Sequence, residues 1–281
     1  MTVATPARAA AMARGCDATI VFAVDFSGEE IGPRSLTLPG NQDELIAAIA
    51  KANRRTIVVL ETAGAVTMPW LAATGAVLEA WYPGSGGADA IADILLGEAV
   101  PSGRLPVTFP NTEADLPKPV LPGTGLPANT PFTVKYPEGA AAGYKGFADR
   151  HITPLFPFGF GLSGTHVAYD NVKAVGGAGM RVAFDIRNDG ARDGIAVPQL
   201  YLTARNSRAL RRLLGWSRQN LKRGTARHVV LHPDPRLLAD FDVSGGRWKI
   251  PAGIIRLALG QNADDVAMSV DAAMAAESLP P

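Results

Sequence analysis

Proline recurs at positions 101, 106, 110, 117, 119, 122, 127, 131, 137, 154 and 157, with glycines in many of the gaps. Proline has no N–H to give to a helix or a sheet ladder, so this spacing argues against a helix or a central strand between residues 101 and 164. The stretch reads as extended chain laid over a surface, or as a long connection between domains. Its aromatic residues (Phe109, Phe132, Tyr136, Tyr144, Phe147, Phe156, Phe158 and Phe160) read as anchors that dock it. Folded cores are therefore expected on either side of it.

On the N-terminal side two textures alternate. Ala18–Val24, Arg55–Glu61 and Ala76–Trp81 are short runs rich in Val and Ile, as expected of strands buried on both faces. Between them, Asn41 is followed by Glu44 three positions on and then by Leu45, Ile46 and Ile49 at helical spacing. Gly87–Gly97 places Ile91, Ile94 and Leu95 on one helical face and ends on a glycine. Strand and helix in alternation predict a mainly parallel sheet with crossover helices. After the proline-rich stretch, Met180–Arg187, Ile195–Thr203, Arg227–His232 and Ile254–Gly260 are strand-like. They are separated by the turn signals Asn188-Asp189-Gly190, Gly224 and Gly245-Gly246. This pattern predicts a small antiparallel β-sandwich. The expected organisation is an α/β domain over 1–122, a connecting segment over 123–170 and a β-sandwich over 171–281.

Composition narrows the classes of function. A length of 281 residues suits two domains, and 47% hydrophobic against 19% charged residues is enough apolar material for two cores. Lys+Arg 27 against Asp+Glu 26 leaves no basic excess, which argues against general nucleic-acid or membrane-surface binding. One cysteine, Cys16, allows neither an internal disulfide nor a cysteine-built zinc site. No apolar run approaches the roughly 18 residues of a membrane span. The first 26 residues make a poor signal peptide, because the run Ala18–Val24 is broken by Asp25 with no small-residue cleavage site behind it. A soluble protein of unassigned compartment is expected.

Several motifs invite chemistry. The loop Asp25-Phe26-Ser27-Gly28-Glu29-Glu30-Ile31-Gly32-Pro33-Arg34 follows the carboxyl end of a predicted parallel strand, where ligands bind in open α/β sheets. A carboxylic acid there can serve as general acid once burial raises its pKa, although a solvated surface loop has the same composition. Gly159-Phe160-Gly161-Leu162-Ser163-Gly164 matches the dinucleotide fingerprint literally. It lacks the strand before and the helix after, so no nucleotide cofactor is expected. Gly84-Ser85-Gly86-Gly87 lies between a strand and a helix, where it could hold an anion or simply allow a tight turn and close packing. His228 and His232 fall on one face of a predicted strand, about 13 Å apart, with no further His or Cys beside them, so no metal is expected. Residues 203–227 hold eight basic side chains and no acid, which reads as a charged loop and sheet face.

Ordered motifs along nearly the whole chain resemble the C-terminal part of glycoside hydrolase family 3, the β-glucosidase family. They begin with Ser27-Gly28-Glu29, Ser35-Leu36-Thr37-Leu38-Pro39-Gly40-Asn41-Gln42, Thr56-Ile57-Val58-Val59-Leu60-Glu61-Thr62 and Trp81-Tyr82-Pro83-Gly84. They continue with Pro101-Ser102-Gly103-Arg104-Leu105-Pro106-Val107-Thr108-Phe109-Pro110 and Pro154-Leu155-Phe156-Pro157-Phe158-Gly159-Phe160-Gly161-Leu162-Ser163. The last third, with Pro198-Gln199-Leu200-Tyr201-Leu202, is similar to the fibronectin type III-like, immunoglobulin-like domain that closes many of these enzymes.

The resemblance implies a retaining hydrolase that removes terminal β-linked glucose with two carboxylates. The nucleophilic Asp comes from an N-terminal (β/α)8 barrel and the acid/base Glu from a loop of the α/β sandwich. Glu29 matches the acid/base position. Relatives usually follow that Glu with Gly and, two residues later, Asp-Arg, whereas Glu30-Ile31-Gly32-Pro33 stands here. Ser163-Gly164-Thr165 likewise replaces the more usual Ser-Tyr-Thr. Glu30 could perturb the loop, compete for the role, or raise the pKa of Glu29. The barrel and its nucleophile motif have no counterpart in the 281 residues, so the expectation is half of a catalytic site. A β-glucoside or oligosaccharide would be the substrate and a family 3 barrel, in cis or in trans, the partner. The alternative is a catalytically inactive module for carbohydrate binding or protein interaction.

Overall fold

A computed structural model describes residues 5–28, 35–127, 129–177, 179–266 and 268–281. The chain divides into two compact units, one running to Ala99 and resuming over Phe109–Tyr136, the other comprising Val100–Thr108 and Pro137–Pro281. Among the described residues no helix is long and apolar enough to cross a membrane.

The first unit contains α1 (Pro6–Ala13), β1 (Thr19–Val24), α2 (Gln42–Ala52), β2 (Thr56–Glu61), β3 (Ala76–Glu79) and α3 (Gly87–Leu96). The three strands form a parallel sheet in the order β1-β2-β3, with Val21 beside Val58 and Val58 beside Val77. β2 is central, and Thr56, Val58, Val59 and Leu60 on it are fully buried. The expectation of burial on both faces fails for the two edge strands: in β1 Val21 and Ala23 are covered but Ile20 is 50% and Phe22 54% exposed, and no residue of β3 is fully buried.

The helices start and stop for local reasons. Asn41 occupies the cap position of α2 without bonding through its side chain. Asp43 and Glu44 instead place negative charge at the positive end of the helix dipole. The Gln42 amide accepts the Val24 N–H and donates to the Val24 and Pro39 carbonyls, which fastens the helix start to the end of β1. Gly97 ends α3 in the left-handed conformation, as its position predicted. α1, for which the sequence carries no apolar stripe, begins on Pro6 under the side chain of Thr5 and packs against α2.

The second unit opens with a short helix, α4 (Tyr144–Asp149). It corrects the expectation of wholly extended chain: the window between Pro137 and Pro154 has no proline to stop a helix. Twelve strands follow, from β4 (Val167–Val175), β5 (Arg181–Asn188), β6 (Gly194–Ala196) and β7 (Gln199–Arg205) to β8 (Arg208–Trp216) and β9 (Gln219–Leu221). The rest are β10 (Ala226–Leu231), β11 (Asp240–Asp242), β12 (Arg247–Ile250), β13 (Gly253–Gly260), β14 (Met268–Met274) and β15 (Glu277–Leu279). They pair antiparallel, in sheets ordered β14-β13-β7-β8 and β10-β5-β4 with two smaller pairings, β11-β12-β15 and β6-β9. Alternate residues of facing strands (Val182, Phe184 and Ile186 against Leu200, Leu202, Leu257 and Leu259) are fully buried in one shared core, which makes this a β-sandwich.

The basic run is mostly structural. Arg205 and Arg212 pair with Asp240, and both also donate to backbone carbonyls around Leu238, while Arg211 donates to Ala263. His228 pairs with Asp185 at 2.7 Å.

The proline-rich stretch is shared between the units, and part of it is docked. Phe109 is buried in the first unit, its ring 6.1 Å from that of Trp81. In the second, Tyr144 stacks on Phe158 at 4.7 Å. Phe132 and Tyr136 remain largely exposed. The motif around Leu105 runs beside the glycine-rich motif: Gly159 N–H reaches the Leu105 carbonyl and Leu105 N–H the Phe160 carbonyl. Gly159 takes a φ of 82°, and a Cβ there would lie 2.0 Å from Gln199 Oε1. The Gln199 amide in turn donates to the Gly159 and Gln261 carbonyls. This fingerprint-like glycine serves packing. Gly159→Ala is expected to cost the second unit about 2–4 kcal/mol, measured by hydrogen exchange of the Leu200 and Leu257 amides. Leu96→Ala, at an exposed site, should change the first unit by under about 0.5 kcal/mol.

Candidate functional site

Because the three strands are parallel, their carboxyl ends share one edge of the sheet. β1 delivers Asp25–Gly28 there, β2 delivers Thr62–Gly64, and β3 delivers the turn from Ala80 to Gly86. An open cleft of about 530 Å³ lies at this edge, lined by Val24, Asp25, Phe26, Ser27, Gly28, Glu61, Tyr82, Pro83 and Gly84. Phe26 is 82% exposed and Tyr82 about half, so two aromatic rings face the opening.

Asp25 joins the three ends. Its side chain is almost fully buried, and a buried carboxylate is tolerable when its lone pairs are taken up. Ala63 N–H reaches both carboxylate oxygens, at 3.1 and 3.2 Å, and the Tyr82 hydroxyl donates to Oδ1 at 2.7 Å. The same hydroxyl accepts the Ser27 N–H at 3.0 Å. Hydrogen bonding to Asp25 raises the pKa of the Tyr82 phenol.

Glu79 closes β3 beneath this corner. Its Oε1 accepts the Trp81 N–H at 2.9 Å, and Thr62 Oγ1 lies 3.4 Å from both carboxyl oxygens while donating to the Gly64 carbonyl at 2.9 Å. Burial pushes the Glu79 pKa up to about 7, against the Trp81 and Thr62 hydrogen bonds that lower it and with a smaller push from the Asp25 charge.

The sequence-predicted residues divide. Asp25 sits at the crevice as expected. Glu29 and Glu30, with Ile31–Arg34, lie outside the described residues, and Gly28 is the last described position before them. Within Gly84–Gly87, Gly87 allows close packing, since a Cβ on it would meet the Pro83 ring at 2.5 Å, and Gly84 takes a φ of 68° in the turn. Two residues escaped the sequence reading. Glu79 ended an apolar run and Tyr82 entered only as part of a motif. A lone carboxylate inside an apolar run was the available signal for the first.

A parallel α/β unit with a carboxylate-bearing crevice, followed by a β-sandwich, defines the class of protein. Comparison supplies the family. Residues 3–164 match the glycosyl hydrolase family 3 C-terminal domain, and residues 196–263 match a fibronectin type III-like domain. The chain belongs to glycosyl hydrolase family 3. It is 38% identical to a β-glucosidase of Rhizobium radiobacter over 88% of this chain and 31% of that protein. It is 35% identical to β-glucosidase B of Emericella nidulans over 96% of this chain and 34% of that one. Among solved structures, DesR, a β-glucosidase from Streptomyces venezuelae in complex with D-glucose, superposes with a TM-score of 0.86 at 37% identity. That match covers 95% of this chain and 35% of DesR. The chain thus spans about a third of the length of the relatives it matches, and it corresponds to the C-terminal region of a family 3 β-glucosidase.

Glu79 makes stability depend on pH. In the folded chain it keeps its proton up to about pH 7, and in the unfolded chain it loses it near 4.5. Between those values the unfolded state binds fewer protons, so stability is full below about 4.5, falls as pH rises and levels off above 7. Glu79→Gln, a neutral isostere, should be more stable than the parent at pH 8 by up to about 3 kcal/mol, with no advantage below pH 4.5. Urea titrations at the two pH values check this.

Proposed function

We propose that this chain supplies the acid/base half of a retaining β-glucosidase site, with Glu29 as the acid. The observation that carries the reading is the cleft at the carboxyl end of β1, lined by Ser27 and Gly28, in a chain of glycosyl hydrolase family 3 whose next residue in sequence is Glu29. Glu29 would protonate the glycosidic oxygen as the bond to the leaving group breaks. It would then take a proton from the water that hydrolyses the glycosyl-enzyme. A nucleophilic carboxylate has to stand roughly 5–5.5 Å away on the opposite face of the sugar. Asp25 is committed to Ala63 and Tyr82, and it shares a loop with Glu29, so it does not fill that role. A family 3 barrel segment, in cis or in trans, would bring the nucleophile, and terminal β-D-glucosides would be the substrates.

With a barrel segment supplied, Glu29→Gln should reduce turnover of β-glucosides with poor leaving groups by about 10²–10⁴-fold. Azide should restore part of the loss in Glu29→Ala by attacking the glycosyl-enzyme. The 281-residue chain alone should not turn over an aryl β-glucoside; robust activity of that chain, abolished in Glu29→Gln, would refute its dependence on a barrel. Glu30, where relatives carry glycine, favours a second reading as an inactive module that binds carbohydrate or protein. Calorimetry with gluco-oligosaccharides, alongside pull-downs for a protein partner, separates the two.

A further inference from the structure

Glu29 stands two residues beyond Ser27, so whatever holds Ser27 sets where the proposed acid starts. β1 stops at Val24, and its last ladder-like contact is Asp25 N–H to the Glu61 carbonyl. Ser27 N–H is held instead by the Tyr82 hydroxyl, which in the same step donates to Asp25. Tyr82 is about half exposed, so its ring gains little from burial and its hydroxyl is the part that is fully engaged.

Tyr82 reaches this point from a strained corner. Trp81 adopts a φ of 55°, the left-handed region that bulky residues avoid. The Glu79 carboxyl stabilises that conformation by accepting the Trp81 N–H, and the Trp81 ring leans on Phe109. The geometry points to Glu79 and Tyr82 as positioning residues for the acid/base loop, Glu79 setting the corner and Tyr82 clamping the Asp25–Ser27 stem. This assignment rests on the reading of Glu29 as the acid.

Among the described residues the titratable groups at this edge are Asp25 at the end of β1, Glu61 at the end of β2, and Glu79 and Tyr82 around the corner. Asp25 is the one whose charge bears on Glu79. When Glu79 ionises, near pH 7, a second negative charge appears beside Asp25. The clamp therefore responds to pH through Glu79.

The 281-residue chain suffices for the first test, by amide exchange and chemical shifts. Tyr82→Phe should speed exchange of the Ser27 amide about tenfold or more while Val58 and Leu60 stay protected. Glu79→Ala, which removes the Trp81 acceptor, should do the same. Glu79→Gln should keep the parent's Ser27 protection and abolish a Ser27 shift change centred near pH 7. Unchanged Ser27 exchange in both Tyr82→Phe and Glu79→Ala, or a titration that persists in Glu79→Gln, would overturn the assignment. With a barrel segment supplied, Tyr82→Phe should lower kcat/KM about tenfold on alkyl or phenyl β-glucosides. It should leave kcat/KM on the 2,4-dinitrophenyl glucoside unaffected, since that leaving group departs without a proton in the glycosylation step. Equal losses on both substrates would mark Tyr82 as structural only. Should Glu29→Gln itself show no dependence on the leaving group, the reading of Glu29 fails, while the Ser27 exchange still reports on the clamp.

Discussion

The carboxylate of Asp25 is where three separate pieces of chain are made into one edge. It leaves β1, takes the N–H that follows β2 and receives the hydroxyl of the turn that follows β3. Parallel strands are not neighbours in sequence at their carboxyl ends, so nothing in the ladder itself fixes how the loops beyond them sit. A buried side chain that needs partners on several sides can do so, because leaving any of them out strands a polar group away from water. The cleft, the position of Tyr82 and the path of the chain toward Glu29 all follow from that one demand.

The second demand at this edge is of the opposite kind. Glu79 is held in surroundings too poor in donors to favour its charged form, and among the described residues no cation pairs with it in the way Arg205 and Arg212 pair with Asp240. Protein interiors usually exclude such a group or pair it. Its place next to the strained Trp81 links two costs that each need explanation: the left-handed corner requires an acceptor for its N–H, and the carboxyl requires a donor. Each satisfies the other, so a replacement of Glu79 has to keep the acceptor that the Trp81 N–H needs.

Much of the architecture could be read from the residues. The Val- and Ile-rich runs became β1, β2 and β3, and the helical spacing after Asn41 and after Gly86 became α2 and α3. Short strands separated by turn signals marked the sandwich, and β5 buries alternate residues in its core as such a strand should. The misses have physical causes. α1 is mostly alanine, whose helical preference leaves no apolar stripe to detect. β1 reads like β2, yet an edge strand and a central strand differ in their neighbours and not in their composition. At the site, the crevice followed from strand order alone, while the importance of Tyr82 and Glu79 depends on partners as many as 57 residues away in sequence. The role given to Glu29 came through its motif and the family resemblance, not through burial or spacing.

The bare side of β1 has a bearing on how the crevice behaves. A strand insulated on one face and hydrogen-bonded along one edge loosens more readily than the central strand, because fewer contacts break when it does. Ile20 and Phe22 lie on that side, and the segment carrying the proposed acid hangs from the same strand. Rigidity at the crevice is therefore borrowed from whatever lies over these two side chains. Apolar surface laid across them would quiet the strand and the loop together, so the sharpness of the site is coupled to a patch that touches no ligand.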